Sequence, residues 1–152
     1  MPTTPPSARA AAADLLDAVL RFGKPLDDAI ADHPGLAALA GRDRAFARNL
    51  TATVLRRLGQ IDRVIGQCLE RPLPRKSARV ETVLRLGVCQ MLFLGTPAHA
   101  AVDTAVGLAE AAGQGHLKGL VNAVLRRIAR DGSAMIAGDD AARLNTPDWL
   151  WE

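Results

Sequence analysis

The stretch Val80–Leu94, VETVLRLGVCQMLFL, decides the fold of this chain. Its apolar residues recur at the i, i+3, i+4, i+7 spacing that places side chains on one face of an α-helix. Leu86, Cys89 and Phe93 add a second apolar strip on the opposite side. A helix that is apolar on two sides has to be surrounded, so we predict that this one is the central, buried helix of a bundle.

Amphipathic segments flank this stretch on both sides and predict the helices that surround it. Ser7 and Ser77 are suitable N-caps for the first helix and for the central one, and Asp131-Gly132 is the predicted end of the last. No segment alternates apolar and polar residues over the length of a strand, so the predicted fold class is all-α. The flanking segments are 8–22, 43–58, 61–69, 97–112 and 117–131.

Length and composition indicate a single globular domain. The chain has 152 residues, of which 49% are hydrophobic and 3% aromatic, a balance that favours helix over sheet. No apolar run approaches the roughly 20 residues that cross a bilayer, and no signal peptide is recognisable, so we expect a cytoplasmic protein without membrane contact. Cys68 and Cys89 fall in helical patterns and are expected to be buried, with no metal site.

The positive charge is concentrated in one part of the chain. The net charge is only +3, but residues 42–85 hold eleven Lys or Arg and four acids, a net of seven positive charges. Residues 14–32, in contrast, carry five acids and two basic residues. Such asymmetry within one domain predicts that one side of the fold meets a polyanion.

Three segments together resemble a known family. They are Val83–Leu94, Thr96–Val106 and Gly119–Ile128, and they resemble NusB-like domains in sequence, order and separation. Such domains form the transcription antitermination factor NusB and the N-terminus of bacterial ribosomal RNA cytosine-C5 methyltransferases of the Sun/RsmB type. A weaker resemblance extends across Ala8–Arg130. The resemblance implies a NusB-like helical bundle that binds RNA.

Two further segments are similar to the methyltransferase branch of this family. The run VNAVLRR (Val121–Arg127) is one of them, since antitermination factors more often have a Gly and an acid at the places of Ala123 and Arg126. The run NTPDWLW (Asn145–Trp151) is similar to the segment with which those methyltransferases pass toward their catalytic domain. The first predicted helix also lacks the arginine-rich motif of antitermination factors.

The resemblance implies a parent enzyme that transfers a methyl group from S-adenosylmethionine to carbon 5 of a cytosine in 16S small-subunit ribosomal RNA. In that family a cysteine thiolate attacks the ring and a Rossmann-like domain holds the cofactor. This sequence has no strand followed by a glycine-rich turn and no Pro-Cys pair. We therefore expect a chain with no catalytic residue and no cofactor of its own, which positions the RNA for a C-terminal methyltransferase domain.

The basic residues are the candidate contacts to RNA, because phosphate contact requires clustered Lys and Arg. Two of them are one turn apart in one predicted helix, and four fall within nine positions around a proline-rich loop. The alternative is that they are solubilising charges on a hydrated surface. The predicted RNA-binding residues are Arg44, Arg48, Arg71, Arg75, Lys76 and Arg79.

These patterns divide the chain into three parts. Residues 1–6 are predicted to be a flexible tail, residues 7–132 the NusB-like helical RNA-binding domain, and residues 133–152 a connector toward an absent methyltransferase domain. Two other functions stay open. The chain could be a stand-alone transcription antitermination factor of the NusB type, or a purely structural interaction domain that touches no RNA.

Overall fold

The computed structural model describes residues 7–151, which form ten α-helices joined by short connections. The predicted tail, residues 1–6, lies outside the described residues. No strand occurs between residues 7 and 151, which confirms the all-α class, and none of these helices is long and apolar enough to cross a bilayer. The helices are α1 (Ala8–Leu20), α2 (Leu26–Ala31), α3 (Pro34–Ala37), α4 (Gly41–Arg56), α5 (Leu58–Cys68), α6 (Ala78–Phe93), α7 (Ala98–Ala111), α8 (Lys118–Ile136), α9 (Ala141–Leu144) and α10 (Asp148–Trp151). Two short 3-10 helices, Arg75–Ser77 and Gly115–Leu117, directly precede α6 and α8.

The chain divides into two compact units, and the boundary between Ala52 and Thr53 falls inside α4. In the first unit, α1 packs against α2 and α3. Small and branched apolar side chains fill its interior, which lets these short helices approach closely. One cluster of buried residues in this unit consists of Ala11, Leu15, Ala29, Leu36, Leu39 and Ala47.

Helix α1 begins and ends where the sequence predicts. The Oγ atom of Ser7 accepts a hydrogen bond from the backbone N–H of Ala10 at 2.9 Å, which is the side-chain cap expected of serine at a helix start. Gly23 has a φ of 68°, and its N–H donates to the carbonyl of Val19 at 3.2 Å. Glycine adopts this left-handed conformation without strain, so it ends the helix.

In the second unit, α6 is the central helix. It packs against α5, α7 and α8, and nine of its sixteen residues are buried. Both of its predicted apolar strips contribute, since Val83 and Cys89 are each without exposed surface. A Cβ atom at Gly87 would lie 2.8 Å from a methyl group of Leu125, so this glycine allows α6 and α8 to pack closely. The prediction of a buried central helix is confirmed.

The predicted side-chain cap by Ser77 is wrong. Ser77 does precede α6, but its φ of −108° and ψ of 22° are not the extended values of a capping residue. The 3-10 turn replaces the cap, because the N–H of Ala78 donates to the carbonyl of Arg75. The Oγ atom of Ser77 instead donates to the Oε1 atom of Gln114 at 3.1 Å.

The predicted end of α8 at Gly132 is also wrong, since the helix continues to Ile136. Gly132 is buried and does not have the positive φ of a helix-ending glycine. A Cβ atom at this position would lie 2.8 Å from a methyl group of Leu92 and 3.0 Å from one of Ile128. Gly132 is therefore a residue that permits close packing, and its presence does not end the helix.

Residues 133–151, for which the sequence predicts a connector and no helix beyond Gly132, form the end of α8 and helices α9 and α10. Part of this segment packs on α5. A Cβ atom at Gly59 would lie only 1.6 Å from the carbonyl oxygen of Leu144, and the side chain of Asn145 exchanges two hydrogen bonds with Gln60, of 3.0 and 2.8 Å. Trp149, in α10, is 79% exposed. The segment is thus docked up to about α9, and its last apolar residues face solvent.

Candidate nucleic-acid interface

Two of the predicted RNA-binding residues lie on α4, in the first unit. Arg44 and Arg48 are four positions apart, so they lie one turn apart on one side of the helix. Both are exposed, whereas Ala47 and Leu50 on another side of α4 are fully buried. Within residues 7–151, no carboxylate forms an ion pair with either arginine. This pair is therefore a solvent-facing positive surface of the first unit.

Three others form what we call the basic loop, residues 71–76 in the second unit. Arg71, Arg75 and Lys76 are all exposed, and none of them is paired with a carboxylate in the part of the chain that the structure describes. Arg75 and Lys76 lie in the 3-10 helix that runs directly into α6. The positive end of the α6 dipole therefore adds to their charge. Arg79, in the first turn of α6, is half-buried.

The two ends of the basic loop differ in their surroundings. Arg71 borders a groove of about 390 Å³ whose lining includes the carboxylates of Asp62, Glu70 and Glu81. Arg85 neutralises part of this acidic charge, because its guanidinium lies 2.8 Å from Asp62 and 3.0 Å from Glu81. The carboxylates of this groove therefore border Arg71, whereas Arg75 and Lys76 are not part of its lining.

The hydrogen bond between Ser77 and Gln114 brings a distant segment to the basic loop. It joins residues 37 positions apart and holds the start of α6 beside the start of α8. Exposed His116 and Lys118 lie at that start of α8, so a further cation is placed near the loop. We did not predict these two residues. The sequence does contain a signal for this placement. When three consecutive helices such as α6, α7 and α8 are joined by short connections, the first and the third begin at the same end of the bundle.

Not every basic residue between positions 42 and 85 faces solvent. Arg63 forms an ion pair with Asp139 and donates to the carbonyl of Met135 at 3.1 Å. The hydrogen bond from Arg63 lowers the pKa of the Asp139 carboxyl below its ordinary value. Arg63 and Arg85 therefore stabilise the fold through ion pairs. The net positive charge of residues 42–85 comes from other basic residues.

The two cysteines are ordinary buried or half-buried thiols. Burial raises the pKa of Cys89 to about 12, and it also raises the pKa of Cys68. A thiol with a raised pKa is protonated at neutral pH and is a poor nucleophile. Within residues 7–151, no group of His, Cys, Asp and Glu side chains is arranged to hold a metal ion.

Comparison with known proteins agrees with this fold. The model of the NusB family matches residues 6–130, so the chain belongs to the NusB family. Over 95% of its length the chain is 40% identical to Ribosomal RNA small subunit methyltransferase B of Xanthomonas campestris. Over 93% it is 34% identical to the protein of the same name from Pseudomonas putida, and over 93% it is 33% identical to that of Escherichia coli O1:K1.

These alignments cover only part of each relative. They include 32% of the Xanthomonas protein and 33% of the other two, so the chain spans about a third of the length of these relatives. The resemblance to the NusB family is thereby confirmed. The relatives also carry the name of the methyltransferase branch, which is the branch predicted from residues 121–127 and 145–151.

Proposed function

We propose that this chain is a non-catalytic RNA-binding domain that positions small-subunit ribosomal RNA for a methyltransferase. The observation that supports this proposal most directly is the basic loop, where Arg71, Arg75 and Lys76 are exposed and unpaired with any carboxylate of residues 7–151. Helix α6 points its positive end at the same place. An RNA backbone offers the regular series of phosphates that such a surface binds.

The six predicted residues are proposed phosphate contacts, and we expect them to contribute unequally. We expect Arg75 and Lys76 to contribute most, since they do not line the acidic groove as Arg71 does, and Lys118 to assist them. Arg71, Arg79, Arg44 and Arg48 are proposed as further phosphate contacts. None of these contacts reads a base, so we expect affinity without strong sequence preference.

We further propose that the parent protein is an S-adenosylmethionine-dependent ribosomal RNA (cytosine-C5) methyltransferase of the cytoplasm. The names of the relatives support this, and the length they have beyond the aligned third is enough for a separate catalytic domain. The described residues of this chain have no strand with a glycine-rich turn that fits the cofactor. We therefore assign residues 7–132 to RNA binding, residues 133–152 to the connection, and the cofactor to a C-terminal methyltransferase domain.

The test is RNA binding by the 152-residue chain with the basic loop altered. We expect Arg75→Gln combined with Lys76→Gln to weaken binding of a labelled small-subunit ribosomal RNA fragment about tenfold, because two phosphate contacts are lost. Fluorescence anisotropy measures the dissociation constant. The matched control is Arg126→Gln combined with Arg130→Gln, which removes the same charge from the exposed side of α8.

Two outcomes would contradict the proposal. An equal loss in the α8 control would mean that net charge alone determines binding, with no localised interface. Absence of any RNA binding by the unaltered chain would favour the purely structural interaction domain. Binding restricted to one short RNA together with a ribosomal protein would instead favour an antitermination factor.

A further inference from the structure

A second cationic groove lies where α4 meets α5. Arg56 is the last residue of α4 and Arg57 precedes the first residue of α5. Both line an open groove of about 450 Å³, whose other wall is formed by α9 and the residues after it, including Asn145 and Thr146. These residues all belong to the second unit. None of them is among the predicted RNA-binding residues.

Neutral groups hold both guanidinium groups in this groove. Arg56 donates from Nη2 to the Oγ1 atom of Thr53 at 3.1 Å. Arg57 donates from Nη1 to the Oε1 atom of Gln60 at 3.4 Å, and its Cζ atom lies 5.0 Å from the centre of the Phe93 ring. The ring and the amide orient the side chain of Arg57 without cancelling its charge.

Arg56 and Arg57 differ from two neighbouring arginines in their partners. Arg63 and Arg85 are each paired with a carboxylate, whereas Arg56 and Arg57, both exposed, have no carboxylate partner within residues 7–151. An arginine that is already oriented loses less side-chain entropy when it binds an anion. Its planar guanidinium also matches the oxygens of a phosphate group.

The position of this groove relates it to the basic loop. Arg57 stacks on Phe93, the last residue of α6, while the basic loop joins the first residue of the same helix. A helix of 16 residues is about 24 Å long, so the two cationic surfaces lie at opposite ends of α6. At about 3.4 Å per stacked nucleotide, roughly seven nucleotides would connect them.

We propose that Arg56 and Arg57 form a second phosphate-binding site, which holds the RNA backbone about one α6 length from the basic loop. This inference rests on the proposed RNA-binding function. The two sites together would fix the direction of the bound strand, since one contact point alone leaves the strand free to rotate. On the opposite wall, the side chain of Asn145 is held by Gln60, and the Oγ1 atom of Thr146 donates to the carbonyl of Ala142 at 2.6 Å, so the two arginines are the proposed phosphate contacts.

The experiment compares variants of the 152-residue chain on a labelled RNA of about 20 nucleotides, which is long enough to span both sites. We expect Arg56→Gln combined with Arg57→Gln to raise the dissociation constant about tenfold and to make the slope of log K against log salt shallower by about 1.4, as two lost contacts require. Arg126→Gln combined with Arg130→Gln is the control of equal charge. Circular dichroism verifies that each variant keeps its helix content.

Each result decides one question. If the unaltered chain binds the RNA but the Arg56/Arg57 variant behaves like the α8 control, the second site is wrong and the proposed function stands. If the unaltered chain binds no RNA, the proposed function fails, and the second site fails with it. If the unaltered chain binds inorganic phosphate at Arg56 and Arg57 more tightly than it binds the RNA, the groove takes a free anion, and its assignment to RNA is overturned.

Discussion

Cys89 lies in the middle of α6 with none of its surface exposed, and burial raises the pKa of its thiol to about 12. Two nearby arginines, Arg56 and Arg57, act in the opposite direction but do not compensate for burial. In the unfolded chain the same thiol has its ordinary pKa of 9.0. The folded state therefore keeps a proton that the unfolded state loses between about pH 9 and pH 12.

This difference predicts how stability depends on pH. The free energy of unfolding should fall as the pH rises above 9, because the unfolded state then binds fewer protons than the folded state. For one proton the fall is at most about 1.4 kcal/mol per pH unit. Urea unfolding at pH 8 and pH 10 measures this. In Cys89→Ala the decrease should be smaller by that amount; an unchanged decrease would mean that Cys89 does not carry the effect.

At the scale of single residues, the sequence predicts which side chains are exposed better than it predicts which residues form ion pairs. The exposed state of Arg44 and Arg48 follows from helical periodicity, because their neighbours at core positions are apolar. The ion pair between Arg63 and Asp139 does not follow, since its partners are 76 positions apart in sequence. Only the packing of the segment after α8 on α5 brings them together.

At the scale of helices, periodicity locates each element, but the role of a glycine depends on its tertiary neighbours. Gly23 ends a helix, whereas Gly59 and Gly132 lie inside helices and allow another part of the chain to approach. The local sequence around the three glycines does not distinguish these roles. This is why the role of Gly23 at the end of α1 was predictable and the continuation of α8 past Gly132 was not.

The contact between α5 and α9 gives a test of this interpretation. Gly59→Ala should destabilise the second unit by about 1–3 kcal/mol, because its Cβ atom would overlap the backbone carbonyl of Leu144. Gly66→Ala is the matched control in the same helix. Gly66 is exposed and has open space around its Cβ position, so that substitution should stabilise the helix by up to about 1 kcal/mol.

Urea unfolding of both variants measures the two effects. The docked segment would also become more accessible to protease in Gly59→Ala, since Leu144 and Asn145 could no longer pack on α5 at the same distance. Equal stability of the two variants would show that the segment after α8 is not held on α5 as described.

At the scale of the whole chain, the sequence predicts the fold class, the central helix and the family, because these depend on periodicity and on motifs in register. The candidate interface is predicted only in part. The basic loop is local in sequence, whereas Lys118 reaches it through the hydrogen bond between Ser77 and Gln114. The groove at Arg56 and Arg57 depends on α9, a helix that the sequence pattern does not indicate.

The central claim is that this chain binds RNA through phosphate contacts made by exposed cations. The most direct measurement is the affinity of the 152-residue chain for a small-subunit ribosomal RNA fragment as a function of salt concentration. With four or more contacts, log K should fall linearly with log salt, with a slope of about −3 or steeper. A slope near zero, or no binding at about 50 mM salt, would contradict the claim.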